Sequence, residues 1–147
     1  MRWPAKRRIR RRRGAVMVET AIVLTTFFTL IFGFFEYSRF MMLRQLMQNA
    51  AREGARQAVV NEDTMTTANV QAVVTKYLVN VPVTSLNIQV YETDSSGNNI
   101  GAWTNSPFGT GVAVQIDANC TSILPTFGVA PGSLHFSVKS IMRCEAN

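Results

Sequence analysis

Residues 10–35 read RRRRGAVMVETAIVLTTFFTLIFGFF, a basic run, a glycine, and then a long apolar run from Ala15 to Phe35 whose single charge is Glu19. At 1.5 Å per residue that run reaches about 30 Å as a helix, the thickness of a bilayer core. A cleaved secretory signal has a shorter apolar stretch and a small-residue site after it. Here Glu36-Tyr37-Ser38-Arg39-Phe40 continues directly into more helical sequence. The segment therefore reads as a retained single-pass anchor.

Charge supports this reading. Arg2, Lys6, Arg7, Arg8, Arg10, Arg11, Arg12 and Arg13 are eight of the fifteen basic residues, and residues 1–14 hold no acid. The remainder carries seven basic and nine acidic residues, so the formal net charge of +6 sits entirely on the N-terminal arm. A nucleic-acid surface needs its cations spread over a folded face, so none is expected as a partner. Cations directly before an apolar run instead follow the positive-inside rule. The expected location is the inner (cytoplasmic) membrane, with the N-terminus cytoplasmic and the C-terminal part extracytoplasmic.

The helical pattern does not stop at the membrane boundary. In MMLRQLMQNAAREGARQAVV, residues 41–60, apolar or small residues fall at Met42, Leu43, Leu46, Met47, Ala50, Ala51, Gly54, Ala55 and Ala58. Spacings of three and four make one stripe. Its first half is Leu/Met and its second Ala/Gly, so another element can approach the second half closely. Tyr37, Phe40, Met41 and Met42 are expected in the outer interfacial belt. A second helix is expected over Thr66–Leu78. Leu86–Tyr91, Val112–Ala118 and Leu134–Met142 alternate as strands do, with turn or loop residues at 94–99 and a longer polar connection over Gly101–Gly111. The expected class is α+β: a long N-terminal helix, transmembrane in its first half, packed by its outer half on a small antiparallel sheet of three or four strands with one extra short helix. The expected divisions are a basic leader (1–14), a transmembrane helix (15–35), its extracytoplasmic continuation (36–60) and a small extracytoplasmic α+β domain (61–147).

Three features bear on function. Gly14 lacks a Cβ, which lets a protease grip an extended backbone. Glu19 is a carboxylate at or inside the lipid, where an acid is costly and has a partner. Cutting after Gly14 would free the α-amino group of Ala15 one turn from Glu19, and positions i and i+4 are helix neighbours. The rival reading of Glu19 is a carboxylate reaching water at the membrane edge. Arg52, Glu53 and Arg56 read either as a docking site for another subunit or as the solvated side of a helix whose Ala51/Gly54/Ala55/Ala58 face packs on the sheet.

Catalysis has no motif behind it: His135 stands alone, and no phosphate loop, HExxH or GxSxG is present. The chain is not expected to be an enzyme, and no cofactor or metal is expected. With Val112–Ala118 and Leu134–Met142 as a simple antiparallel pair, Cys120 and Cys144 lie about 25–30 Å apart. A disulfide needs Cα atoms within about 7 Å, so a bridge would require a different strand order.

RRGAVMVETAIVL, FGFFEYSRFMMLRQLMQNAAREGARQAV and the terminal SVKSIMRCE together resemble TadE-like proteins, minor pilins or pseudopilins of the tight-adherence (Flp) pilus system with a type IV prepilin-like leader. AAREGAR, residues 50–56, is the most specific piece. The resemblance implies cleavage by a prepilin peptidase between Gly14 and Ala15, and assembly through Glu19. It implies as partners membrane lipid, other pilins or pseudopilins and the pilus assembly platform. Glu19-Thr20 stands where major pilins of that system have Glu-Tyr, which points to a minor component.

Overall fold

The computed structural model describes residues 10–61, 64–104, 106–123 and 132–144, with side chains from Gly14 onward. Residues 1–9 of the expected leader (1–14) and residues 124–131 lie outside them. The chain forms α1 (Arg10–Val60), α2 (Thr67–Leu78), β1 (Thr84–Thr93), β2 (Asn99–Gly101), β3 (Gly111–Thr121) and β4 (Ser133–Arg143). It divides into two units, residues 1–37 and 38–147.

The first unit is the first half of α1. Apolar residues are exposed on every side of it, from Val16 and Met17 to Phe34 and Phe35. Its most apolar stretch has a mean hydropathy of 2.0, and none of it is buried against protein. A helix apolar all round needs a surrounding apolar medium, and this one is long and apolar enough to cross a membrane. The four threonines fit that setting. Thr20, Thr25, Thr26 and Thr29 donate their hydroxyls to the carbonyls of Val16, Ala21, Ile22 and Thr25 at 2.8–3.0 Å. Hydroxyls satisfied within the helix cost little in hydrocarbon.

In the second unit all four strands form one antiparallel sheet in the order β2-β1-β3-β4. One face carries Val112, Val114, Ile116, Ala118 and Val138. Against it pack Met47, Ala50, Ala51, Ala55 and Ala58 of α1, and Val70, Val74 and Leu78 of α2. The long strands β3 and β4 pair without interruption from Gly111↔Arg143 to Thr121↔Ser133. α2 begins at Thr66, whose hydroxyl accepts from the Asn69 amide, a serviceable N-cap.

The packed half of α1 follows β3. Arg39 donates to the Thr121 carbonyl at 2.6 Å at one end of that strand, and Phe40 meets Phe136 with ring centroids 5.9 Å apart. Fifteen residues on, a Cβ built on Gly54 would lie 2.6 Å from Val74 Cγ2 and 3.5 Å from Val114 Cγ1. Fifteen helical residues and the seven strand residues from Thr121 back to Val114 both cover about 22 Å. The helix therefore runs along the sheet, antiparallel to β3 and parallel to β4.

Two features differ from the sequence expectation. Met42 and Leu46 are exposed while Leu43 and Met47 are buried; one residue is a 100° turn, and the covered stripe is narrower than the apolar one. The segment after the first turn is also more than a polar connection. It contains β2, and Trp103 within it is buried in the core, donating its indole N–H to Thr67 Oγ1 at 2.9 Å. Cys120 and Cys144 are both buried and form no disulfide with each other. Cys120 opposes Leu134 at one end of the β3·β4 pair, and Cys144 follows Arg143 at the other. Burial pushes the Cys120 thiol up, with the Arg39 charge opposing.

Candidate functional site

The residues expected to serve processing and assembly, Gly14, Ala15 and Glu19, lie in the first unit. Gly14 and Ala15 are inside α1, four and five residues from its start at Arg10, and both are exposed. A Cβ on Gly14 would meet nothing within 4 Å, so this glycine is not needed for packing in the folded chain. A peptidase that binds extended backbone would have to unwind the first turn. That turn lacks the intrahelical partners of its first four N–H groups, which makes it the easiest to open.

Glu19 stands out by what it lacks. With the threonines satisfied, its carboxylate is the polar side chain of residues 15–35 with no hydrogen-bond partner among the described residues. It is exposed and lies four residues from Ala15 on the same helix.

The second unit holds Arg52, Glu53, Gly54 and Arg56, and they separate into two roles. Gly54 is in the interior, where Val70 and Val74 of α2 and Val114 of β3 close over it. Arg52 and Arg56 are exposed, with Glu53 between the two environments. The Arg56 guanidinium donates through Nε and Nη2 to the two Glu53 oxygens at 3.0 and 2.9 Å, and Gln57 Nε2 adds a third bond at 2.8 Å. Asn61 Nδ2 in turn donates to Gln57 Oε1 at 3.1 Å. This chain of bonds stiffens the last turns of α1 on their solvent side. The Arg56 hydrogen bond, helped by Gln57, holds the Glu53 carboxyl below its usual value, and the Arg56 value is raised in return.

That shift has a sign. A carboxyl with a depressed folded value stabilises the fold above its unfolded value, and the contribution is lost as the pH falls through the folded one. The melting temperature of the full chain in micelles should therefore drop more steeply below pH 4.5 than that of Glu53→Gln, with the two curves converging at low pH. Parallel curves would show the pair has no role in stability. The effect is small, since the pair is solvent-screened.

Three further groups, outside the expected site residues, carry polar chemistry. Arg39 pins α1 to the end of β3 and lies 5.0 Å from the Phe40 ring centroid. On the sheet face away from the helices, Tyr91 donates to Gln115 Oε1 at 2.9 Å. Gln115 Nε2 donates to Asp117 at 3.2 Å and to Ser137 Oγ at 3.3 Å. Burial, then the Asp117 charge, raises the Tyr91 hydroxyl value. His135 Nδ1 lies 3.0 Å from Asn119 Oδ1 across the strands. Among the described residues no three His, Cys, Asp or Glu side chains gather as metal ligands. The sequence signal for Tyr91–Gln115 was only alternation, which gives a face but not a register.

Residues 14–56 match the family model described as TadE-like protein. The match takes in Gly14, Glu19 and the Arg52–Arg56 segment, and ends before α2 and the sheet. No curated protein and no solved structure matches the chain.

Proposed function

We propose, from the TadE-like character of residues 14–56, that the chain is a minor pilin or pseudopilin of a tight-adherence pilus, a structural component and not an enzyme. The first half of α1 anchors it in the cytoplasmic membrane with the sheet domain outside. Cleavage between Gly14 and Ala15 by a prepilin peptidase removes the basic leader. The observation that carries this reading is Glu19, a carboxylate without a hydrogen-bond partner among the described residues, in an apolar run (15–35) whose other polar side chains, the four threonines, bond within the helix. A lone carboxylate in lipid calls for a cation, and the freed Ala15 amine of a neighbouring subunit supplies one without further residues. Arg52 and Arg56 give the outer half of α1 a charged side on which other subunits can dock. The pilus assembly platform is the remaining partner this role requires.

Replacing Glu19 by Ala should leave membrane insertion intact, since it removes a charge from an apolar run, while sharply reducing the chain's recovery in sheared pili. Immunoblotting of the membrane and sheared-pilus fractions measures both. Equal recovery of mutant and wild type in pili would remove the role assigned to Glu19. A chain found only in the membrane, with no effect of its deletion on piliation, would favour a permanently anchored envelope protein.

A further inference from the structure

We infer that the outer edge of β4 accepts an extended acidic segment of another protein as a fifth strand. The backbone bonds at the two ends of the β3·β4 pair fix which groups face outward. Ser122 N donates to Gly132 O at 3.0 Å, and Cys144 N donates to Thr110 O at 2.9 Å. Both pairs continue the register that joins Thr121 to Ser133 and Gly111 to Arg143. Bonded and non-bonded pairs alternate along an antiparallel ladder. The even-numbered residues of β4 are therefore bonded to β3. Ser133, His135, Ser137, Lys139, Ile141 and Arg143 turn their N–H and C=O groups outward. Among the described residues one of those groups is engaged, the Lys139 carbonyl, which accepts from Gln48 Nε2 at 3.5 Å.

The opposite edge of the sheet is treated differently. There Gln71 of α2 donates to the Ile88 carbonyl at 2.8 Å, and β2 pairs with the end of β1. An open, regular edge of this length is a template for strand addition. The usual guard, an edge lysine, is absent in effect: Lys139 Nζ donates to Gly97 O at 2.8 Å, across the sheet face.

The charge on β4 selects the occupant. Its ionisable side chains are His135, Lys139 and Arg143, all on the face away from the helices, with no acid from Ser133 to Arg143. A strand alternating acidic and apolar residues would set a carboxylate opposite Arg143 and others within the field of Lys139. Leu134 and Ile141, both partly exposed, would give it apolar neighbours. A second copy fits poorly. Antiparallel pairing of β4 with itself would set the packed residues 38–60 of the two α1 helices, which lie along the strands, antiparallel to each other, an arrangement that two anchors in one membrane do not suit. This choice of another protein over a second copy rests on the membrane reading.

The test is amide exchange by NMR on the full chain in detergent micelles, with the synthetic peptide Val-Glu-Val-Glu-Val-Glu-Val as probe. In the free chain the odd-numbered β4 amides should exchange fast and the even-numbered ones slowly. The peptide should slow the odd set by about tenfold or more. A Val/Lys peptide, or a Val/Glu peptide N-methylated at every second residue, should not. Ser137→Pro, which removes an outward N–H and no backbone bond to β3, should abolish the effect with the even set still slow, and Ser137→Ala, which loses the same hydroxyl bond to Gln115, should keep it. No change at the odd amides, or equal slowing by either control peptide, would overturn the proposal. So would a free chain of doubled mass with its odd amides already slow, the result expected for self-pairing. The peptide arms do not require α1 to span a membrane, so their failure leaves the anchor and its processing untouched.

Discussion

Replacing Trp103 by alanine should lower the stability of the sheet domain by about 4 kcal/mol, the largest effect expected of any single truncation in this chain. Trp103 is the largest fully buried side chain. It comes from the connection between β2 and β3, and it shares a cluster with Ala55, Ala58, Val70 and Val74. A close-packed interior relaxes only partly around a missing ring, so an alanine would leave a cavity. The substitution also strands Thr67 Oγ1, at the first residue of α2. Trp103→Phe separates the two contributions. It keeps most of the packing and loses one hydrogen bond, so it should cost about 1–2 kcal/mol. Urea unfolding of the full chain in micelles, followed by circular dichroism, measures both. Equal, small shifts of the midpoint would mean the loop is not part of the cooperative unit.

Gly54→Leu should destabilise by about 3 kcal/mol for the opposite reason, too much volume. Even a single added carbon would come within 2.6 Å of Val74 Cγ2. The clash is with a short branched side chain, which has little freedom to swing aside. Gly54→Ala should cost about 1 kcal/mol, because alanine recovers roughly 1 kcal/mol of helix propensity against the overpacking. The order alanine, then leucine, read from the urea midpoints by Trp103 fluorescence, is the diagnostic. A Gly54→Ala variant more stable than wild type would show that α2 can move away from α1.

These two sites mark what could be read from the sequence. The Ala/Gly half of the stripe showed that something approaches α1 near Gly54. That the visitor is α2, through Val70 and Val74, depends on folding partners far apart in the chain. The helices and the three long strands were legible because their periodicity is local, and Thr66 announced the start of α2. β2 was not, since a strand of three residues, Asn99–Gly101, has no periodicity to detect and exists through its pairing with β1. Trp103 had one signal, a large aromatic in a polar connection, and that pointed to burial without saying where. Among the expected site residues, Ala15 and Glu19 stand out in the sequence because they are four apart, a helical spacing. Arg39 appeared only as part of the continuing helical stretch; its partner Thr121 lies 82 positions away, beyond any local pattern.

Processing at Gly14 decides the fate of the basic arm before Ala15. The direct measurement is N-terminal sequencing, with intact mass, of the chain recovered from membranes of cells with and without the prepilin peptidase. Cells with the peptidase should yield a chain starting at Ala15, and cells without it one that retains residues 1–14. A chain that keeps the leader in both would contradict processing at Gly14, and with it the pairing of the Ala15 amine with Glu19.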